Sequence, residues 1–265
     1  MTAVRIGLKR TLGHAASARL ANGLTLLIYH RVGGGTPDER DLRTDVFEEQ
    51  LDLLASQHRV LHLDTALDEL CAGNYTPKIV VTFDDGFTDV HERALPLMAD
   101  RGLPFTLYLA TAYVGGQMHW DGSTASAPGP ALSWAQLGEL LASGLCTVGN
   151  HTHTHARPER LTSGELDRCT AEIEDHLGFT PRHFAYTWGI AVPAMEPALR
   201  RRFRSAALGV IGRNYPGDDL HRLRRVPVRQ SDPLDFFTAK FAGRLVPERA
   251  YHGIVRMAKR ARLRP

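Results

Sequence analysis

Cysteine is scarce in this sequence and has no paired spacing. The 265 residues include three cysteines, Cys71, Cys146 and Cys169, and no CxxC pair. An odd number of separated cysteines argues against a disulfide framework and is typical of a reducing compartment. The fold must then be stabilised by apolar packing, for which a hydrophobic content of 43% is sufficient.

Long apolar runs are also absent. No stretch is apolar enough over the roughly 20 residues that a membrane-spanning helix needs. The start, MTAVRIGLKRTLGHAASARLANG, carries basic residues but neither an uninterrupted apolar core nor a convincing cleavage site. We therefore expect no secretory signal. The predicted location is cytoplasmic, with peripheral contact at the inner face of the membrane as an extension of that prediction.

Lysine is nearly missing, and charge of either sign is close to balance. Only four of the 32 basic residues are lysines, and the net charge is +3. This excess is too small to indicate a nucleic-acid partner, so we predict none. GC-rich coding explains the many arginines better than phosphate binding does.

Strand-like and helix-like segments alternate along the chain. Apolar runs predict strands at 24–30, 59–63, 78–83, 105–111, 145–151, 183–188 and 205–210. Helical spacing predicts helices at 47–57, 65–73, 88–102, 133–144, 162–178, 193–203 and 232–243. A stretch rich in Gly and Pro, 114–131, is typical of a loop insertion. This alternation favours a parallel sheet, wound by right-handed crossovers into an open sheet or a barrel.

Chemically active side chains follow several of these strands. Asp84 and Asp85 end the run KIVVTFDD, His30 ends LTLLIYH, and His151 ends LCTVGNH. Parallel strands end at one face of a barrel, which is where barrel active sites lie. The sequence therefore predicts that these residues share one site.

Three histidines alternate in the segment HTHTH at 151–155. His151 and His155, four residues apart, can reach one metal ion, and His153 then points elsewhere. Two imidazoles with the carboxylate of Asp85 form a typical hydrolytic metal site. Asp84 is then free to take a proton beside the ion, whose charge offsets the repulsion between the two carboxylates.

Two motifs, in this order, resemble those of polysaccharide deacetylases of the NodB-homology class, carbohydrate esterase family 4. The first, T-F-D-D-G, stands at 82–86, and the second, H-[ST]-x-x-H, stands at 151–155. The run LLIYHRV at 26–32 and the segment FEEQLDLLASQHRVLHLDTAL are similar to the branch associated with exopolysaccharide and glycoconjugate synthesis. The similarity extends from about Leu24 to about Gly243.

The resemblance implies a fold and a reaction. The fold is a distorted (β/α) barrel with about seven parallel strands. The reaction is removal of an N-acetyl group from an N-acetylated polysaccharide, oligosaccharide or glycoconjugate precursor by a metal-activated water. Asp84 resembles the general base, and Asp85, His151 and His155 resemble the metal ligands. The expected ion is zinc, with cobalt, nickel or manganese as alternatives.

Two other functions stay open. A deformylase or another linear-amide hydrolase would use the same metal and aspartate chemistry. The second is a carbohydrate-binding relative without activity, which would explain why this chain lacks an arginine that many family members have. Such a protein would not need Asp84, Asp85, His151 and His155 together.

The chain departs from the family in a later motif. Many members have R-P-P-Y-G, in which the arginine orients the base, whereas this chain has AYTWG at 185–189. The stretch LRRVPV at 223–228 resembles a signature of the exopolysaccharide branch. We hypothesise that its Arg225 orients Asp84, and a surface arginine is the alternative.

The family's late Leu-x-His, which supplies the general acid, is also missing. His30 resembles the residue that takes this role in the exopolysaccharide branch. We therefore predict His30 as the acid, with His221 as the alternative.

Three aromatic residues are candidates for contact with the sugar. Tyr29 precedes His30, Trp120 lies in the loop insertion beside Asp121, and Trp188 lies in the altered motif. An aromatic ring can stack on a sugar face while Asp121 binds hydroxyls. Packing in the core or within a loop is the alternative for each ring.

Both ends of the chain are basic and amphipathic. We divide the chain into an N-terminal segment (1–22), a deacetylase domain (23–245) and a C-terminal tail (246–265). Such ends can lie on an anionic membrane surface. The alternative, which we favour, is two helices that pack on the barrel with exposed arginines. The oligomeric state stays open.

Overall fold

Seven parallel strands form the central sheet of the protein. The computed structural model describes residues 2–13, 19–57, 59–120 and 128–262. The strands are β1 (Leu24–Tyr29), β2 (Lys78–Asp85), β3 (Phe105–Leu109), β4 (Cys146–Asn150), β5 (His183–Ala185), β6 (Ser205–Ala207) and β7 (Arg225–Pro227). Their order across the sheet is β6-β5-β4-β3-β2-β1-β7. A parallel bridge from Ala207 to Leu223 brings the two edges together, so the predicted barrel of about seven strands is confirmed.

Helices follow most of the strands and cover the sheet. They are α1 (Thr2–Gly13), α2 (Thr44–Ala55), α3 (Leu63–Cys71), α4 (Leu95–Ala99), α5 (Trp134–Ala142), α6 (Ser163–Leu177), α7 (Glu196–Arg202), α8 (Leu234–Phe241) and α9 (Val246–Arg262). The predicted helix at 88–102 is split into a π-helical turn, Val90–Ala94, and α4. Two pairs of two-residue strands, at 31–32 with 41–42 and at 117–118 with 129–130, lie outside the barrel.

Two expectations about strands were wrong. Residues 59–63 form no strand, because Val60 makes only an isolated bridge to Ile79 and Leu63 already begins α3. Only Leu63 belongs to the helical spacing of α3, whose buried side chains join the core, and Leu61 packs against the same cluster. Strand β7 was missed because it has three residues and begins with Arg225, directly after Arg224, so no apolar run marks it.

The barrel strands are buried on both faces, and the residues of β1 and β2 enter two core clusters. Leu27, Val81 and Phe83 belong to the larger cluster, which includes residues of α2 and α8. Leu26 and Val80 belong to a second cluster, which includes residues of α3. Burial on both sides explains why β1 and β2 are continuous apolar runs rather than alternating ones.

The terminal helices pack on the barrel's own helices. Helix α1 contacts α8 and α9, and α8 contacts α9. Lys9 of α1 is fully buried and donates hydrogen bonds to Ser231 and Asp232, over 2.6 and 2.7 Å. This is the packing that we favoured for the ends. Among the described residues, no helix is long and apolar enough to cross a membrane.

Candidate active site

The two aspartates end β2 at the carboxyl edge of the barrel, and both are buried. The backbone turns sharply there, because Asp85 has a φ of 79° and Gly86 a φ of 111°. A Cβ at Gly86 would lie 2.6 Å from a methyl carbon of Leu109, so only glycine fits. The turn makes Asp84 and Asp85 both face the site, whereas successive residues of a regular strand face opposite sides.

The second motif forms a tight loop after β4. Asn150 accepts a hydrogen bond from Thr152 N over 2.9 Å, and the Thr152 hydroxyl accepts one from Ala156 N over 2.9 Å. These bonds close the loop, so that the ring centroids of His151 and His155 lie 5.1 Å apart. The side chains of His151 and His155 therefore lie close together, on the same side of the loop. His153 faces away, where its Nδ1 lies 3.0 Å from the Thr111 hydroxyl.

The two motifs meet at one oxygen atom. Asp85 Oδ1 lies 3.5 Å from His151 Nε2 and 3.3 Å from His155 Nε2. One ligand atom from each residue lies within 4.8 Å of the others, and all three residues are buried. His151 Nδ1 donates to the carbonyl of Ala185 over 2.8 Å, which leaves Nε2 as a free acceptor. This donor set fits a divalent metal ion with open coordination positions.

Burial and neighbouring charges favour the metal-binding protonation states of Asp85 and His155. Burial raises the pKa of Asp85, but the adjacent side chains of His151 and His155 outweigh it and hold the pKa well below its usual range. Burial lowers the pKa of His155, against the opposing effect of Asp85. The carboxylate is therefore anionic and the His155 imidazole neutral at neutral pH, as metal ligands must be.

Arg225 makes a bidentate ion pair with Asp84. Its Nη1 and Nη2 donate to the two carboxylate oxygens over 2.6 and 2.9 Å, and its Nε donates to the Leu208 carbonyl over 3.0 Å. The arginine side chain is only 1% exposed, so it is not a surface arginine. Burial raises the pKa of Asp84, but the charge of Arg225 outweighs it and the net shift is downward.

Backbone strain is concentrated at this site. Within the described part of the chain, four residues other than glycine have a positive φ: Asp85, Thr152, His155 and Trp188. Asp85, His155 and Trp188 line the same cavity. Thr152 closes the loop at 151–155, which we call the histidine loop. Such conformations are costly and persist where the surrounding structure holds functional groups in place.

The site opens into a cavity of about 260 Å³. Its lining includes nearly all of the predicted site residues: His30, Asp84, Asp85, Trp120, His151, His155, Trp188 and Arg225. The ring centroid of Trp120 lies 4.0 Å from that of His155, and the ring centroid of Trp188 lies 5.8 Å from that of His155. His30 Nδ1 is buried without a hydrogen-bond partner among the described residues.

Two candidates lie elsewhere. Tyr29 packs against Phe47 and Phe83, and its hydroxyl donates to Gln50 over 2.9 Å, so it is a core residue outside the cavity. His221 precedes β7, and its Nε2 lies 2.9 Å from the Phe203 carbonyl, away from the cavity. Asp121 lies outside the described residues.

Sequence reasoning missed Arg40 and Glu165. Arg40 lines the cavity from the segment after β1, where no motif marks it. Glu165 lies in the first turn of α6, and its carboxylate accepts hydrogen bonds from Thr154 N and Oγ1, over 2.8 and 3.0 Å. It therefore supports the histidine loop. Its position ten residues after His155 gives no sequence signal for this role.

Comparisons with known proteins agree with this geometry. The family described as polysaccharide deacetylase matches residues 73–201. The solved structure of IcaB from Ammonifex degensii is 30% identical, with 85% of this chain and 100% of that chain covered and a TM-score of 0.71. No curated protein matches the chain.

Two more solved structures share the fold at lower identity. A polysaccharide deacetylase from Bacillus cereus is 23% identical, covering 83% of this chain and 69% of that one, with a TM-score of 0.69. The deacetylase PplD from Streptococcus pyogenes, solved with acetate, is 19% identical, covering 79% and 94%, with a TM-score of 0.66.

Proposed function

Because the chain belongs to the polysaccharide deacetylase family, whose members hydrolyse N-acetyl amide bonds, we propose that it is a metal-dependent N-deacetylase of an N-acetylated sugar. The observation that carries the proposal is the meeting of two functions in one cavity. Asp85, His151 and His155 offer three ligand atoms to one point, and the ion-paired Asp84 lines the same cavity.

Asp85, His151 and His155 are the proposed metal ligands. A divalent ion held by them would polarise the acetyl carbonyl and lower the pKa of the attacking water. We propose zinc as the ion, since two imidazoles and a carboxylate suit it, although other first-row ions bind such donors as well.

Asp84 is the proposed general base. A base must be ionised before it can take a proton from the attacking water, and Arg225 holds Asp84 in that form. The two bonds from Arg225 also fix the plane of the carboxylate. Arg225 thus takes the positioning role of the arginine that is missing from the AYTWG motif.

His30 is the proposed general acid. It lines the cavity that holds Asp84 and Asp85, whereas His221 does not. Burial lowers the pKa of His30, and the two aspartates oppose that shift in part. A protonated His30 would therefore give its proton readily to the leaving amine.

Trp120 and Trp188 are the proposed contacts for the sugar rings. Both lie beside His155, and Trp188 is 38% exposed, so its ring is open to a ligand. An exposed aromatic ring beside a catalytic centre is suited to stack on the apolar face of a sugar.

The proposal is tested by product release from matched substrates. Zinc-loaded protein is offered N-acetylated and N-formylated glucosamine oligosaccharides, and acetate and formate are measured. We expect acetate release, with loss of activity in Asp84→Asn. Formate release without acetate would assign the site to deformylation, and no release from a protein with bound zinc would contradict both activities.

A further inference from the structure

A second cavity of about 350 Å³ is lined by four arginines. We call it the arginine cavity, and its lining residues are Gly212, Arg213, Tyr215, Arg224, Gly243, Arg244, Leu245, Val246 and Arg249. No acidic residue of the described chain belongs to this lining. A cavity with only positive charges on its wall is unusual, because like charges repel unless an anion lies between them.

The arginine cavity lies at the other end of the barrel from the candidate active site. Asn214, next to Arg213, exchanges backbone hydrogen bonds with Leu24, the first residue of β1. The active-site residues instead follow the carboxyl ends of the strands. The two cavities share no lining residue, so the arginines cannot belong to the deacetylation site.

Most of the positive charge in the arginine cavity lacks an acidic partner. Arg224 pairs with Asp218 over 2.9 Å, which neutralises one of the four charges. Arg213 donates to the Asn22 carbonyl over 2.8 Å, and Arg244 donates to the Arg19 carbonyl over 3.2 Å. Carbonyl partners hold these side chains but leave their charges uncompensated.

Arg249 is the arginine of this cavity whose side chain is most available to a ligand. Its side chain is exposed and has no hydrogen bond or ion pair among the described residues. Its guanidinium can therefore turn to an incoming anion without breaking a hydrogen bond or an ion pair of the described residues.

Two glycines leave room for the aliphatic parts of Arg213 and Arg224 to lie close to the backbone. A Cβ at Gly243, whose φ is 71°, would lie 2.5 Å from Cδ of Arg213. A Cβ at Gly212 would collide with Cδ of Arg224. The ring of Tyr215 also lies under Arg213, with its centroid 5.2 Å from the guanidinium carbon. Arg213 and Arg224 are thus positioned before any ligand arrives, which reduces the entropy lost on binding.

We propose that the arginine cavity binds a phosphate or pyrophosphate group. Guanidinium groups match phosphate oxygens in shape and charge, and three uncompensated charges favour a multivalent anion over a single carboxylate. The group can belong to a soluble phosphorylated molecule or to the headgroup of an anionic lipid, because the recognising chemistry is the same.

Calorimetric titration of the full chain with inorganic pyrophosphate tests the proposal. We expect binding that Arg249→Gln weakens by about tenfold and that the double variant Arg213→Gln/Arg249→Gln abolishes. The matched control is Arg168→Gln/Arg201→Gln, which removes the same charge from two exposed arginines on α6 and α7. The control should bind pyrophosphate as the unaltered chain does.

Thermal melting establishes whether each variant is folded. If the double variant is not folded, Arg249→Gln alone carries the test, since it breaks no hydrogen bond or ion pair among the described residues. Absence of pyrophosphate binding by the unaltered chain, together with absence of vesicle binding, would overturn the proposal. So would equal binding by the cavity variants and the control.

Vesicle flotation separates the two sources of the phosphate group. The chain is mixed with phosphatidylcholine vesicles with or without phosphatidic acid. Flotation that needs phosphatidic acid and is lost in Arg213→Gln/Arg249→Gln supports a lipid headgroup. Pyrophosphate binding without such flotation supports a soluble ligand. Flotation that is the same in the variant and its control counts against the cavity as the lipid site.

Discussion

Asp84 and Asp85 are neighbours in sequence but have separate partners. Asp85 faces two histidines, and Asp84 faces one arginine. The positive φ at Asp85 lets both side chains reach the cavity. Two carboxylates can be buried side by side here because each has its own compensating group, which is a charge for Asp84 and the imidazoles with their proposed ion for Asp85.

Replacement of the proposed base should separate catalysis from metal binding. We expect Asp84→Asn to lower kcat by about 10²- to 10⁴-fold, because a general base contributes about that much. Its bound zinc, measured by atomic absorption, should stay near one ion per chain. The matched variant Asp85→Asn should lose the zinc instead. Loss of zinc from Asp84→Asn, with no loss from Asp85→Asn, would reverse the two assignments.

Arg225 should set the acidic limb of the pH–activity profile. Its charge holds the pKa of Asp84 below the usual range, so Asp84 stays ionised as the pH falls. Arg225→Gln removes that charge and raises the pKa, and the acidic limb should move to higher pH with a lower kcat. Arg225→Lys keeps a charge but not the paired donors, so the limb should move less. If the acidic limb lies at the same pH in the unaltered chain and in both variants, Arg225 does not have this role.

At the scale of elements, the histidine loop depends on residues outside its motif. Glu165 of α6 accepts hydrogen bonds from Thr154 N and Oγ1, and Asn150 accepts one from Thr152 N. These contacts hold His151 and His155 in a conformation that is strained at Thr152 and His155.

Loss of the Glu165 contacts should weaken metal binding. We expect Glu165→Ala to raise the Kd for zinc by about ten- to a hundredfold, as removal of groups that support metal ligands commonly does. Competition with a chelating dye measures the Kd. Glu159→Ala is the control, because Glu159 is exposed and, among the described residues, its carboxylate has one ion pair, with Arg157 over 3.9 Å. Equal zinc affinities for the two variants would show that Glu165 does not support the site.

The sequence predicted long elements better than short ones. Strands β1 and β2 were predictable because burial on both faces makes them continuous apolar runs. Strand β7 was not, because its three residues contribute Arg225 to the barrel interior and carry little apolar signal. Tyr29 shows the limit for single residues: it stands beside His30, yet the alternation of a strand places it against α2 and away from the cavity.

At the scale of the whole molecule, buried charges join the ends of the chain to the barrel. Asp232 lies between Lys9 of α1 and Lys240 of α8, at 2.7 and 2.6 Å. Lys240 also contacts Glu248 of α9 over 3.1 Å, and Glu248 pairs with Arg229 over 2.6 Å. This network links α1 to α8 and α9, which lie more than 200 residues later in the sequence, so buried charges hold the terminal helices on the barrel.

Replacement of Lys9 should lower the free energy of unfolding and leave kcat unchanged. Breaking a buried ion pair costs about 3 kcal/mol or more, because the remaining charge loses its partner. We expect Lys9→Ala to lower the free energy of unfolding by about that amount in urea titrations, with kcat unchanged. Arg10→Ala, an exposed neighbour on the same helix, should change it by less than about 0.5 kcal/mol. Similar stabilities for the two variants would show that the buried pair of Lys9 and Asp232 does not stabilise the fold.

The most direct test of the central claim is acetate release as a function of bound metal. Acetate from an N-acetylglucosamine oligosaccharide is measured with zinc-loaded protein, with chelator-treated protein, with chelator-treated protein reloaded with zinc, and with His155→Ala. We expect release by the loaded and reloaded proteins, and little or none by the metal-free protein and the variant. Equal acetate release with and without bound metal would contradict it.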